Sequence, residues 1–153
     1  MEYLNWASNE AIHDGHDGGF FSDLWKGYEA WGVCTATEMP YAATFNAQSR
    51  PSSELSAKAK AGRNAKLQLH WIKRWNVNTG LTAAELSGVE QTLTKGWPVC
   101  GGFRWPRREE WREHQLQMTP PDGVFDGHSI LLTGFKRDPS LPGGGVFTFF
   151  NTN

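Results

Sequence analysis

The sequence contains little that would support a disulfide framework, a membrane span or a strongly charged surface. Its 153 residues include only two cysteines, Cys34 and Cys100, which are too few for a disulfide-stapled fold. The formal net charge is −1, so electrostatics give no reason to expect nucleic acid or a membrane as a partner. No apolar run approaches the roughly 20 residues that a membrane-spanning helix needs.

Tryptophan, in contrast, is abundant, with eight residues in a chain long enough for one domain with a real core. A tryptophan side chain buries a large area and usually lies in a core or at a binding groove. We expect core packing to explain most of these residues. An aromatic platform for sugars or peptides in the second half of the chain is the alternative.

The first third of the chain has helical patterns separated by a loop. Residues 3–12 predict a short helix, and residues 13–19 form a loop that ends in Gly18 and Gly19. Apolar residues then recur at helical spacing from Phe21 to Trp31, and Gly32 stands where a helix would stop. Residues 48–64 predict either a surface helix capped near Ser52 or Ser53, or a mobile insertion.

The second half predicts strands around one helix. Leu67, Leu69 and Trp71 alternate with polar residues, which favours a strand. Thr82 and Glu85 have the spacing of a capping box, so we expect a helix from there to about Lys95. A strand follows at residues 98–103. Residues 105–121 are loop-rich with charges of both signs, which is typical of a solvated face.

The end of the chain predicts a β-hairpin that brings two functional side chains together. Two β-rich runs, 127–135 and 146–151, flank a loop rich in proline and glycine. His128 begins the first run and Asn151 ends the second, and these ends meet in an antiparallel pair. An amide oxygen can accept the proton of one imidazole nitrogen and so fix the tautomer of the ring. This pairing is half of the machinery of a cysteine peptidase.

These segments resemble the papain-like cysteine peptidases of family C1. The run GHSILLTGF at 127–135 is similar to their histidine motif, and GGVFTFFN at 144–151 is similar to the strand that carries their asparagine. Glycines 18 and 19, the following helix and Met39-Pro40-Tyr41 also resemble this family. Family members place Ser-Trp after the asparagine, whereas Thr152 and Asn153 follow here, so the tryptophan that shields the histidine–asparagine contact is missing.

The resemblance implies an α+β fold that is the C-terminal portion of a papain-like structure. Residues from about 1 to 45 would be the end of the helical left domain, and residues from about 46 to 153 the antiparallel, β-barrel-like right domain. The resemblance is weak at 48–80, and the role of this insertion is open. The implied activity is hydrolysis of peptide bonds through an acyl-thioester, with His128 as general base and acid and Asn151 as its orienting partner.

The nucleophile of such an enzyme is not evident in this sequence. Papain-like enzymes place the histidine about 130 residues or more after the cysteine, whereas Cys34 precedes His128 by 94 positions (128 minus 34). Cys34 also follows a predicted helix end, where the dipole disfavours a thiolate, and Cys100 lies in a predicted strand. We therefore expect the catalytic cysteine in a segment ahead of Met1, and this chain alone to be inactive. The alternative is a non-catalytic papain-like module that binds peptides.

Four small residues are candidates for substrate contact. Gly18 and Gly19 are either turn glycines or, by the resemblance, the pair whose backbone binds the substrate strand. Gly127 and Ser129 flank the histidine and by the resemblance would line the pocket for the substrate residue two before the scissile bond. The expected partner is a peptide or protein substrate.

No metal or other cofactor is expected. The loop that contains His13, Asp14, His16 and Asp17 could bind a divalent ion, but it lacks the closed ligand pattern of a structural site. The peptidase chemistry that the resemblance implies uses no cofactor.

Overall fold

The chain divides into two compact units. The computed structural model describes residues 2–74, 76 and 78–151, and one unit ends at His70 while the other begins at Trp71. The first unit is helical, and the second combines one helix with antiparallel strands. The chain is therefore an α+β protein, as expected. The papain-like division near residue 45 stays a prediction.

The first unit contains three helices, α1 (Glu2–Ile12), α2 (Phe21–Trp31) and α3 (Ser53–Ala61). Helix α2 ends at Gly32, whose φ of 72° few other residues adopt easily. The backbone N–H of Leu55 donates a hydrogen bond to the Ser52 hydroxyl oxygen at 3.1 Å, which caps α3. The surface-helix interpretation of residues 48–64 is therefore confirmed for 53–61. The buried core of this unit consists of Tyr3, Trp6, Ala7 and Ala59.

Helices α1 and α2 approach each other unusually closely at Gly27. A Cβ atom at this position would lie 2.5 Å from the backbone nitrogen of Ser8 and 2.7 Å from the carbonyl carbon of Ala7. These atoms belong to the backbone of α1, so they cannot rotate away as a side chain would. The glycine thus sets the spacing of the two helices.

The second unit begins with α4 (Ala83–Thr94). The predicted capping box is present. The N–H of Glu85 donates to the Thr82 hydroxyl oxygen at 3.2 Å, and the Thr82 N–H donates to the Glu85 carboxylate at 2.7 Å. This helix packs against the sheet through Val89 and Leu93.

The sheet of the second unit has three strands with the longest in the middle. In the described residues of this unit, the strands are β1 (Val99–Pro106), β2 (Trp111–Arg112), β3 (Gln115–Leu116), β4 (Val124–Arg137) and β5 (Gly145–Phe150). Strands β1, β4 and β5 form an antiparallel sheet in the order β1-β4-β5, while β2 and β3 form a separate hairpin. Between them, the described strands close no barrel, so the barrel-like expectation is not met. The buried core residues are Val89, Leu93, Trp105, Ile130 and Leu132.

The predicted strand at residues 66–71 is wrong. Residues 67–71 have no strand assignment, and Leu67, Leu69 and Trp71 are 42%, 36% and 46% exposed. Alternation of apolar and polar residues favours an extended chain, but a strand also needs a neighbour that satisfies its backbone groups. In the part of the chain that the structure describes, these residues pair with no strand.

The β2–β3 hairpin turns through two residues in a strained conformation. Glu113 and His114 have φ angles of 48° and 64°, which a two-residue turn of this kind requires and which glycine or asparagine adopts more easily. A side chain with a Cβ atom costs about 1–2 kcal/mol in this region. The hairpin therefore forms at some cost in backbone strain.

Replacement of His114 by glycine is expected to stabilise the protein. Relief of the left-handed strain outweighs the greater freedom that glycine has in the unfolded chain, for a net gain of about 0.5–1 kcal/mol. Urea unfolding of His114→Gly and of the wild type measures this difference. Arg108 is an exposed loop residue outside the positive-φ set, so Arg108→Gly should give no gain. Equal effects of the two substitutions would contradict the assignment of strain to His114.

None of the helices in the described part of the chain has the length and apolar character needed to cross a bilayer.

Candidate functional site

A β-bulge directly before His128 sets the direction of this strand. Phe103 pairs with His128 and Trp105 pairs with Phe125, so two steps along β1 correspond to three along β4. The extra residue lies between Phe125 and His128, where Gly127 has a φ of 97°. Bulges often occur next to functional sites because they redirect a side chain. Gly127 therefore has a conformational reason to be glycine.

His128 and Asn151 are in direct contact. Asn151 follows the last residue of β5, and the pairing of Leu131 with Phe150 brings it to the same end of the sheet as His128. The Nε2 atom of His128 lies 2.5 Å from Oδ1 of Asn151. Because an amide oxygen can only accept, Nε2 carries the proton and Nδ1 of the neutral ring has a lone pair. The predicted contact is confirmed.

The indole of Trp105 covers one side of the His128 ring. The two ring centroids are 4.4 Å apart, with an angle of 51° between the planes. Trp105 is two residues after Phe103, the direct partner of His128, and is only 6% exposed. The edge of the Phe149 ring packs against this indole, with centroids 5.8 Å apart. The imidazole thus has an apolar neighbour that the sequence motifs did not indicate.

Glu109 connects Trp105 to a second tryptophan. The Nε1–H of Trp105 donates to one carboxylate oxygen of Glu109 at 2.6 Å, and the Nε1–H of Trp111 donates to the other at 2.8 Å. These two hydrogen bonds, the one from Trp105 first, lower the pKa of the Glu109 carboxyl. Residues 107–110 are exposed, as predicted for a solvated face. The prediction missed that Glu109 has specific partners.

Core packing explains fewer tryptophans than expected. Trp6 and Trp105 belong to the two cores, but Trp71, Trp97 and Trp111 are 46%, 63% and 45% exposed. The expectation that most are core residues is therefore wrong in the second unit. The missed signal was the pair of tryptophans on either side of two glutamates, in the run WPRREEW from Trp105 to Trp111.

Gly18 and Gly19 lie in the first unit, in the loop before α2. Gly18 has a φ of 75°, and its N–H donates to Oδ1 of Asn5 at 3.1 Å. The positive φ angle of the turn thus explains why residue 18 is glycine. Because its N–H is already bound to Asn5, a substrate strand would have to bind the Gly18 carbonyl or the backbone of Gly19. A Cβ atom at Gly19 would make only an ordinary contact, 3.8 Å from the Ser8 hydroxyl oxygen. Their substrate-binding role stays a prediction.

The other two candidates, Gly127 and Ser129, flank His128 in β4. Both are exposed, and Ser129 lies opposite Gly102 of β1. A Cβ atom at Gly127 would have no neighbour within 4 Å, so the space beside His128 is open within this unit. The proposed substrate pocket stays a prediction.

Within the second unit, Cys100 is not placed as a nucleophile for His128. Cys100 is three residues from Phe103 along β1, about 10 Å at the rise of a strand, and pairs with Leu131 rather than with His128. Desolvation raises the pKa of its thiol, although the residue as a whole is exposed. Cys34 packs against the core of the first unit. Burial raises the pKa of its thiol, and the charge of Glu38 raises it further.

The described residues contain no group of three or more histidine, cysteine, aspartate or glutamate side chains that could hold a metal ion. In the loop considered above, Nδ1 of His16 bonds the carboxylate of Asp14. Thr152 and Asn153, which stand where family members have Ser-Trp, lie outside the described residues.

No family model matches the sequence, and no curated protein or solved structure is significantly similar to it. The papain-like resemblance therefore rests on the motifs around His128 and Asn151 and on the contact between these two side chains.

Proposed function

We propose that this chain is the C-terminal portion of a papain-like cysteine peptidase whose nucleophilic cysteine lies in a segment ahead of residue 1. The observation that carries the proposal is the 2.5 Å contact between His128 Nε2 and Asn151 Oδ1. This contact holds the imidazole by Nε2 and leaves Nδ1, the nitrogen that takes part in the proposed reaction, without the Asn151 bond. Papain-like motifs surround both residues.

The proposed mechanism follows from this tautomer. Nδ1 of His128 takes the proton of the cysteine thiol, and the thiolate attacks the carbonyl carbon of the peptide. The resulting imidazolium then protonates the departing amine, which leaves a thioester between the cysteine and the acyl half of the substrate. His128 next removes a proton from a water molecule, whose oxygen attacks the carbonyl carbon of the thioester. The carbon–sulfur bond breaks, the acid is released, and the imidazolium returns its proton to the cysteine thiolate.

A non-catalytic peptide-binding module of the same fold is the second candidate. It is favoured by the two cysteines, because the pKa of each thiol is raised and Cys100 is displaced along β1 from the partner of His128. A raised pKa leaves less thiolate at neutral pH, and the thiolate is the reactive form. Such a module would bind peptides without cleaving them.

Labelling with a peptide-like electrophile separates the two candidates. In the 153-residue chain, we expect Cys34 and Cys100 to react no faster than an unactivated thiol. In a longer form of the protein, a cysteine ahead of residue 1 should react rapidly, and His128→Ala should abolish this reaction. The exposed His70 serves as the matched control, so His70→Ala should change nothing.

Two outcomes would overturn the proposal in different ways. Rapid, His128-dependent labelling of Cys34 or Cys100 would place the nucleophile inside this chain. A longer form that binds peptides but has no rapidly labelled cysteine would establish the binding module.

A further inference from the structure

Glu109 holds two indoles with one carboxylate. Each of its oxygens accepts a different indole N–H, from Trp105 at 2.6 Å and from Trp111 at 2.8 Å. An indole nitrogen is a donor only, and an ionised carboxylate is an acceptor only, so both bonds have a fixed direction. The two hydrogen bonds also lower the pKa of Glu109, which keeps its carboxyl ionised at neutral pH. We call Trp105, Glu109 and Trp111 the indole clamp.

The indole clamp leaves Trp105 little freedom to rotate. Its N–H is bound to Glu109, the edge of Phe149 packs against its ring, and only 6% of the residue is exposed. Trp111 in turn lies near Phe149, with centroids 6.2 Å apart. Glu109 and Phe149 therefore restrain both tryptophans, and one of them, Trp105, contacts His128.

The restrained indole determines where the imidazole can lie. The His128 ring has the Trp105 ring 4.4 Å away and the Asn151 amide at Nε2. The contact with Trp105 restrains the tilt of the imidazole ring, and the hydrogen bond to Asn151 fixes the position of Nε2.

We propose that Glu109 is a positioning residue for His128, which it acts on through the indole of Trp105. Glu109 touches neither the substrate nor the reacting atoms in this proposal. Its consequence for catalysis rests on the proposed peptidase function, whereas its effect on the geometry of His128 does not.

The matched pair Glu109→Gln and Glu110→Gln tests the clamp. Each change removes one negative charge from neighbouring exposed residues, but Glu110 bonds Arg112 instead of an indole. The two indoles bond different oxygens of Glu109. Glu109→Gln replaces one of these oxygens by an NH2 group, which only donates and therefore cannot accept an indole N–H. NMR spectra of the full 153-residue chain report the indole N–H signals of Trp105 and Trp111 and the ring signals of His128.

We expect Glu109→Gln to shift all three sets of signals, including the ring protons of His128, because the Trp105 ring current acts on them. Glu110→Gln should shift none of them. A purely stabilising role of Glu109 would lower the melting temperature and leave the His128 signals of the folded protein unchanged. Unchanged His128 signals in a Glu109→Gln protein whose Trp105 indole N–H signal has shifted would therefore overturn the proposal.

Trp111→Phe and Glu109→Asp keep the test decisive if Glu109→Gln folds poorly. Trp111→Phe removes the indole N–H that donates to Glu109 from an exposed residue, but it leaves the hydrogen bond from Trp105 in place. The pKa of Glu109 should therefore rise, and the His128 signals should not change. Glu109→Asp keeps the charge but shortens the reach, so it should shift the His128 signals if the clamp holds the ring. If Glu109→Asp leaves them unchanged, charge alone suffices and the positioning role is wrong.

Kinetics of the longer form separate this proposal from the proposed function. Glu109→Gln should lower kcat about 10-fold with little change in KM, since a misplaced general base slows chemistry more than binding. Glu110→Gln should retain wild-type kcat. A wild-type longer form without activity would refute the peptidase function, while the NMR shifts would still decide whether Glu109 positions His128. Wild-type kcat in Glu109→Gln would overturn the proposal.

Discussion

Replacement of His128 by alanine is expected to abolish peptide hydrolysis by the longer form of the protein. In the proposed mechanism, His128 both accepts the thiol proton and donates a proton to the leaving amine. Loss of a member of a catalytic triad typically lowers the rate by about 10³-fold or more. The measurement is kcat/KM on one peptide substrate, with His70→Ala as the control. Activity of His128→Ala near the wild-type level would show that the base has been assigned wrongly.

Asn151→Ala should have a much smaller effect than His128→Ala. The amide orients the ring without transferring a proton, and Trp105 still restrains the imidazole when the amide is absent. We expect a loss of no more than about 100-fold in kcat/KM, which is the scale of a small misplacement of a catalytic group. If Asn151→Ala is as inactive as His128→Ala, the Trp105 contact does not orient the ring by itself.

Replacement of Gly27 by alanine is expected to destabilise the first unit strongly. The new methyl group would lie 2.5 Å from the Ser8 nitrogen, so α1 and α2 must move apart. Overpacking of this kind typically costs about 1–3 kcal/mol, and occasionally more. Alanine favours a helix over glycine by about 1 kcal/mol, which opposes this cost. Because the obstructing atoms are backbone, we expect an overpacking cost near the upper end of this range, about 3 kcal/mol, and hence a net destabilisation of about 2 kcal/mol.

Thermal unfolding followed by circular dichroism measures this effect. In a unit of this size, 2 kcal/mol corresponds to a fall in Tm of about 10 °C. Gly15 is the matched control in the same unit, because a Cβ atom there has no neighbour within 4 Å. Gly15→Ala should change stability by no more than about 0.5 kcal/mol. A Gly27→Ala protein as stable as the wild type would mean that the two helices are not in such close contact.

Elements that depend on residues close together in the chain, or on two consecutive strands, were predictable from the sequence. The capping box of Thr82 and Glu85 and the Ser52 cap depend on side chains that bond the backbone three residues away. The hairpin of β4 and β5 follows from two β-rich runs around a turn-rich loop, and its antiparallel pairing brings His128 to Asn151. Nearby residues alone determine these interactions, so a pattern is sufficient to find them.

Elements that depend on distant partners were not predictable in the same way. Residues 67–71 have the alternation of a strand but no strand beside them in the part of the chain that the structure describes. The bulge at Gly127 depends on the register between β1 and β4. The closeness of α1 and α2 at Gly27 likewise depends on how two helices pack.

The sequence by itself determined the helix caps, the C-terminal hairpin and the pair of His128 and Asn151. Only the tertiary structure decided what surrounds that pair. It placed Trp105 against the imidazole, bound both indoles to Glu109 and displaced Cys100 along β1 from the partner of His128. The physical reason is that a sequence pattern specifies which face of an element is apolar, whereas packing specifies which residue of another element fills the space against it.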